Sequence, residues 1–399
     1  METSPLPPRF LSLDVLRGVA ILGILLMNIQ SFSMPEDAIT NPTIYGNFQG
    51  INYYAWLSSH LLAEMKFISI FSILFGAGLA LQAQRAGADA WKIHTKRMII
   101  LLGLGLAHAY LLWDGDILVP YALCGIVVFP LRRLPRWLLL FLGLAAFAVP
   151  IVLNAGLSIY PDMAPFPLLR GLNASLRPDF SPYAELATRR GNWRNLFIHR
   201  AHASFYFETF IFLIWTFWRC AGCMLIGMAL LKLGVLTGQA KRWILVLIGA
   251  IGLPLGLAVS AAGVCYNTAH HWNAADFFFP GSTFNYIGSL LTALAYMALI
   301  VLLTHWTTAT QATRWLRPLE AVGRTALSNY LTQTFICITI FDVLGYYGNV
   351  SRSQQLLIVL AIWLVQLLGS TLWLRRFRQG PFEWCWRTLA YGPKKAMNA

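Results

Sequence analysis

Long apolar runs, each closed by polar or basic residues, recur along the chain at a spacing that predicts ten helices. They cover about 13–31, 66–84, 98–113, 117–131, 137–156, 204–231, 243–264, 284–305, 319–341 and 354–374. Most approach the ~20 residues that an α-helix needs to cross ~30 Å of hydrocarbon. The stretch 52–84 is too long for one crossing: its 33 residues would run about 50 Å as a single helix. Residues 52–65 are therefore expected to form a separate interfacial helix on the outer side, feeding the second span. The pattern predicts an all-α integral membrane protein of about ten transmembrane helices.

Composition supports this class. Of 399 residues, 57% are hydrophobic, 14% aromatic and 12% charged, against about 25% charged in soluble domains. The net charge of +14 would suggest nucleic acid in a soluble protein. Here the basic residues gather at the ends of apolar runs, which reads as membrane topology. The bilayer is the expected partner, and nucleic acid is not.

Placing both termini in the cytoplasm puts 20 of the 30 Lys and Arg residues on that side and seven outside, with Lys66, Arg219 and Arg324 inside spans. Cytoplasmic loops retain Lys and Arg, so this asymmetry sets the orientation. One longer outer loop, about 157–203, carries six arginines; long loops follow the rule less strictly. It reads as a lid over the outer face or as a surface for an anionic substrate. Three units follow: 1–136 with four helices, 137–203 with the fifth span and the outer loop, and 204–399 with five helices.

Several motifs have plain structural readings. The first apolar run carries Asp14 and Arg17 and lacks a convincing cleavage site, so it is expected to remain as the first helix. Six cysteines give no disulfide framework, and the Cys220–Cys223 pair lies mid-helix, where small polarizable residues fill a helix interface. Gly252 and Gly256 predict a close helix contact.

Ionisable residues within spans are costly and invite functional readings. Asp14 and Arg17 share a helix face at the cytoplasmic boundary, as a helix start or as an anchor for an anionic ligand. Glu320 and Arg324 are placed to pair at i and i+4. Glu208 and Arg219, eleven residues apart, would face one way on an α-helix. His60 and Glu64 are also i and i+4, with Lys66 just beyond.

The richest stretch is GLAHAYLLWDGDILVPYA, residues 105–122. The run 98–113 has 16 residues, or about 24 Å of helix, and 117–131 is equally short. A hairpin of this length holds Asp114 and Asp116 near hydrocarbon depth, tolerable only if they line a cavity or are buried in protein. His108 lies about a turn and a half deeper. A histidine beside a carboxylate in a water-restricted site is suited to general base catalysis, and it equally suits a structural pair.

The LDVLRG opening, the KFISIFSILFGAGLAL block (66–81), the GLAHAYLLWDGDILVPYALCG block (105–125), GRTALSNYLTQTFICITIF (323–341) and WLRRFRQGPFEWCWRTLAYG (373–392) together resemble the YeiB family of bacterial inner-membrane proteins. The last two fall in its carboxy-terminal domain of unknown function, here within 204–399. The stretch from about 137 to 280 matches only loosely. The resemblance implies a multi-pass protein of the bacterial inner (plasma) membrane. It also implies a distant similarity to the transmembrane acyltransferases, including acyltransferase-3 enzymes and heparan-α-glucosaminide acetyltransferase.

Those relatives move an acyl group from cytoplasmic acyl-CoA to a sugar-like acceptor, and share an Asp-x-x-Arg-Gly opening matched here by Asp14, Arg17 and Gly18. Asn28 matches an asparagine near the outer end of that helix. Their reactive histidine follows soon after, whereas residues 29–59 here contain none. His108 is the first replacement and His60 the second.

On this reading His108 deprotonates a hydroxyl or amine of a small-molecule or glycan acceptor, with Asp116 or Asp114 orienting it. Asp14, Arg17, Asn28, Lys66 and Arg97 are the residues expected to serve the acyl-CoA (acetyl-CoA) donor, and Lys66 or Arg219 could stabilise oxyanion charge. No metal is expected, and the relatives leave a homodimer open. The alternative is a small-molecule transporter using the intramembrane charges.

Overall fold

The apolar runs fold as helices because only fully hydrogen-bonded backbone is tolerated in hydrocarbon. A computed structural model describes residues 10–159, 182–273 and 276–392, and among these there is no strand. Both chain ends, whose cytoplasmic placement is expected above, lie outside the described residues, as do residues 160–181 of the expected outer loop.

The principal helices are α1 (Leu11–Ser33), α2 (Ile51–Leu62), α3 (Lys66–Ala86), α4 (Ala90–Leu111), α5 (Leu118–Val128) and α6 (Arg136–Ile159). There follow α7 (Pro182–Arg189), α8 (Trp193–Tyr206), α9 (Phe217–Lys232), α10 (Arg242–Ala269) and α11 (Ser282–Ala309). The remainder is α12 (Arg317–Arg324), α13 (Ala326–Ile338), α14 (Arg352–Arg376) and α15 (Pro381–Tyr391). Among the described residues, seven helical stretches are long and apolar enough to cross a membrane. One of them, Ile51–Leu111, holds α2, α3 and α4 and so contains two of the predicted runs. The runs 117–131 and 319–341 correspond to a short helix, α5, and to a broken pair, α12 and α13.

Burial separates central from peripheral helices. In its most apolar window α1 is 72% buried, whereas α6, α10 and α14 are each 22% buried. The central position of α1 requires glycine. A Cβ at Gly18 would stand 1.9 Å from the Leu319 carbonyl oxygen, and one at Gly323 would stand 1.8 Å from that of Asp14. The glycine of the LDVLRG opening and that of GRTALSNY are thus two halves of one backbone contact between α1 and α12. The predicted close contact at Gly256 is also present: a Cβ there would meet the Thr292 nitrogen of α11 at 2.7 Å. Cys220 and Cys223 are both buried inside α9, as their interface reading expects.

Three breaks shape the molecule. The separate helix expected at 52–65 is α2, and the chain leaves it through Met65 in a left-handed conformation (φ +63°). At Thr325 the chain breaks between α12 and α13, and Glu383 of α15 caps the new start, accepting from the Leu327 and Ser328 amides at 2.6 and 3.1 Å. A carboxylate at a helix N-terminus satisfies orphan N–H groups and opposes the helix dipole. This contact joins the GRTALSNY and GPFEW segments. The third break is a π-helical stretch, Phe207–Thr216, between α8 and α9.

That stretch changes one expectation. Glu208 and Arg219 share a face only in an uninterrupted α-helix, and i→i+5 turns rotate the phase. Glu208 lies beside Tyr110, whereas Arg219 reaches α3 and α11.

Helix lengths bring a second change. α4 begins at Ala90, eight residues before the apolar run, and its 22 residues span about 33 Å. Hydropathy marked only its apolar part, while Lys92, Lys96 and Arg97 continue the helix. Shortness therefore belongs to α5 alone, at 11 residues.

Candidate functional site

The last turn of α4 carries His108 into full burial, and the chain then returns through Trp113, Asp114 and Asp116 to α5. His108 Nδ1 stands 2.7 Å from Asp116 Oδ1, and both side chains are 1% exposed. The other oxygen of Asp116 accepts from the Val119 amide at 2.8 Å, which fixes the carboxylate to the start of α5. On the far side of the ring, His108 Nε2 meets the Thr334 hydroxyl of α13 at 3.0 Å. Tyr330, one turn earlier on α13, packs against the ring, and Trp113 meets it edge-on.

The Asp116 contact is an ion-pair approach rather than an aligned hydrogen bond; with the proton on Nδ1, beside the carboxylate, Nε2 accepts from the Thr334 hydroxyl. Asp116–His108–hydroxyl is therefore an acid–imidazole–hydroxyl line, the ordering used to activate an O–H group. The sequence identified the first two members, but nothing in it marked Thr334, which lies 226 residues away.

Asp114 turns elsewhere. Its Oδ1 is 3.7 Å from Arg189, which also meets Glu185 at 3.3 Å and Asp342 at 3.6 Å. Arg200 adds a contact to Asp342 at 3.4 Å and donates to the Leu111 carbonyl at 2.9 Å, tying this cluster to the end of α4. Tyr347 donates to Glu185 at 2.6 Å, and the Glu36 amide donates to the same carboxylate. Four carboxyls thus surround two guanidiniums. Burial, together with the nearby charges of Asp114 and Glu185, pushes the Glu36 carboxyl well above its ordinary value. Burial alone would lower the Arg189 guanidinium, but Tyr347, Asp114, Asp342 and Glu185 outweigh it and hold the group above its ordinary value.

Arg189 and Arg200 are buried, unlike the arginines of a solvated lid. Together with the Phe341–Tyr347 segment they cover the turn that holds Asp114. The Asp114 and Asp116 side chains are both buried in protein. Beside this cluster a cavity of about 510 Å³ is lined by Arg189, Arg190, Trp193, Asp342 and Asn349, among others.

His60 and Lys66 belong to a second buried cluster. His60 Nδ1 is 2.6 Å from Glu64, and its ring stacks on Trp56. Lys66, fully buried, donates to the His60 carbonyl at 2.8 Å and to Asn285 at 2.5 Å. Arg219 donates to the Met65 carbonyl, to Ser69 and to Ser289, and lies over the Tyr286 ring.

Of the other expected donor-site residues, Asp14, Arg17 and Arg97 sit toward the opposite, basic end. Asp14 and Arg17 contact each other at 3.2 Å, and an Arg17 nitrogen lies 3.7 Å from where a Gly78 Cβ would be. Arg97 donates to Tyr391 at 3.0 Å and lies over Trp386, so α15 covers it. Asn28 is half-buried in the last third of α1. Lys66 is twelve residues from Gly78 on α3, about 18 Å along the axis. The structure therefore groups Asp14 with Arg17, and His108 with Asp116. It does not bring Lys66 to Arg17, or His60 to His108.

Comparison with known proteins reaches most of the chain. Residues 230–393 match a family described as Protein of unknown function (DUF418). The whole sequence is similar to the uncharacterized protein YeiB of Escherichia coli (strain K12), at 34% identity over 96% of this chain and 98% of that one. The uncharacterized protein YxaH of Bacillus subtilis (strain 168) is 28% identical over 95% of this chain and 93% of its own. An uncharacterized 39.9 kDa protein from Bacillus acidopullulyticus is 27% identical over 99% and 97%. With its helices and central α1 described and full-length similarity established, the chain belongs to the YeiB family and is an all-α integral membrane protein.

Proposed function

We propose that the protein is an acyl-CoA-dependent membrane acyltransferase, with His108 as general base. The supporting observation is the buried His108, flanked by Asp116 at 2.7 Å and a hydroxyl at 3.0 Å. An acceptor hydroxyl or amine takes the place of Thr334 at Nε2 and gives its proton to His108 as its oxygen or nitrogen attacks the thioester carbonyl carbon. The carbon–sulfur bond then breaks, and the thiolate of CoA leaves with the proton from His108. Asp116 stabilises the imidazolium formed between these steps. General base action of this kind contributes typically 10²–10⁴-fold.

The donor enters from the basic end. Arg97 and His108 are eleven residues apart on α4, about 16 Å along its axis, a length suited to an extended pantetheine arm. Arg17 and Arg97 would hold the phosphates, Arg97 giving up its contact with Tyr391. Asp14 would steady Arg17, and Asn28 would line the path along α1. The acceptor is a sugar-like hydroxyl or amine compound, and the setting is the bacterial inner membrane.

The test uses the full chain in proteoliposomes, with radiolabelled acetyl-CoA and a cell-envelope extract as the source of acceptor. Label should enter the extract and free CoA should accumulate. A preparation that neither binds acetyl-CoA, read as a thermal shift in detergent, nor releases CoA would overturn the proposal.

A further inference from the structure

Among the described residues, the buried cations differ in what faces them. Near His108, Arg189 faces three carboxylates and Arg200 faces Asp342, while Arg352 stands singly among the backbone carbonyls of Pro42, Tyr45 and Asn47. Lys66 and Arg219 differ. They are 0% and 7% exposed, yet no carboxylate among the described residues lies within ion-pair distance of either. All their hydrogen-bond acceptors are neutral: the His60 and Met65 carbonyls, the Asn285 side-chain oxygen, and the Ser69 and Ser289 hydroxyls.

The two cations belong to one cluster. Asn285 takes Lys66 and Ser289 takes Arg219, and these two residues are i and i+4 on one face of α11. Met65 and Ser69, i and i+4 at the start of α3, form the opposite wall. Ser260 of α10 closes the site by donating to Asn285 at 3.1 Å.

Donors in this cluster are left unused. An ammonium has three N–H groups, and Lys66 uses two of them within the protein. The Nη1 of Arg219 is buried without a hydrogen-bond acceptor. The Tyr286 ring lies 4.6 Å below the guanidinium; a ring attracts a cation without cancelling its charge. Burying an uncompensated charge costs several kcal/mol. With Glu64 engaged by His60, the cluster holds two positive charges and one negative, an excess of one.

We infer that the Lys66–Arg219 cluster between α3, α9 and α11 is a binding site for one small monovalent anion, held by Arg219 Nη1 and the third N–H of Lys66. The single excess charge favours a halide or carboxylate over divalent phosphate. The carboxylate could arrive free or on an acyl chain from the bilayer; the head-group chemistry is the same. This site is separate from His108, and its occupancy does not depend on acyl transfer.

The experiment follows thermal unfolding of the full-length protein in detergent. It starts in sodium sulfate, whose divalent anion the site disfavours, and titrates chloride, acetate or decanoate at constant sodium, with decanol as the uncharged control. The expected result is a saturable rise of several degrees with at least one of the three anions and none with decanol. Stabilisation by chloride or acetate identifies a free ion, and stabilisation by decanoate alone identifies a lipid-borne carboxylate. In Arg219→Gln the half-saturating concentration should rise about tenfold or more. Lys66→Gln should do the same, and replaces Arg219→Gln if that variant does not accumulate. Equal melting in sulfate and all three anions would overturn the inference, as would an unchanged titration in a folded variant.

Discussion

His108 and His60 present the same local chemistry in different settings. Each holds a carboxylate at Nδ1, at 2.7 and 2.6 Å. The His60 pair is made within a few residues, i and i+4, and its side chains are 11% and 25% exposed. The His108 pair is closed across a turn, is 1% exposed, and is completed by a hydroxyl from α13. Proximity to a carboxylate is therefore a poor guide to a reactive histidine. What separates the two is what meets Nε2 and how completely water is excluded. His60 instead lends its backbone carbonyl to Lys66, and so supports a cationic site.

The largest effect expected from breaking this contrast is at Arg189. Arg189→Ala leaves Asp114, Glu185 and Asp342 buried without their shared partner. Removing one member of such a network should cost about 3–5 kcal/mol, read as a large fall in melting temperature or as failure to accumulate. Next comes Thr334→Val, which keeps shape and removes the hydroxyl from His108 Nε2. An unsatisfied buried group costs about 1–3 kcal/mol, and acyl transfer should survive because an external acceptor takes that place. Loss of transfer with stability intact would instead make Thr334 a participant.

A smaller effect should appear as a pH dependence. The Glu36 carboxyl is raised by burial and by Asp114 and Glu185, so folding favours its protonated form. Its contribution to stability is complete below the ordinary glutamate range and is lost as pH rises through the raised folded value. Melting temperature should therefore fall as pH rises across that window, and Glu36→Gln should flatten the slope. An identical slope in the variant would remove Glu36 as the cause.

The sequence carried the helical class, the break before α3, and the His108–Asp116 pairing, because each depends on hydropathy or on residues within one block. Thr334, Arg189, Glu185 and Asp342 were not legible in the same way. They come from distant segments and look like ordinary polar residues on helix ends until the chain folds. The arginines at 189 and 200 suggested a wet lid, since composition records charge but not the carboxylates that bury it. The phase change at Phe207–Thr216 left no sign in the apolar pattern, so Glu208 and Arg219 looked like neighbours on one face. The family motifs became readable as packing: Gly18 with Gly323, and Glu383 with the start of α13.

The proposed role of His108 is tested most directly by comparing transfer of label from acetyl-CoA in His108→Ala, His60→Ala and unaltered proteoliposomes. The variants should first be matched for folded protein by size-exclusion profile and melting temperature. A general base in the proposed position predicts a loss of about 100-fold or more in His108→Ala, with His60→Ala close to the unaltered rate. Full transfer by a folded His108→Ala protein would contradict the account.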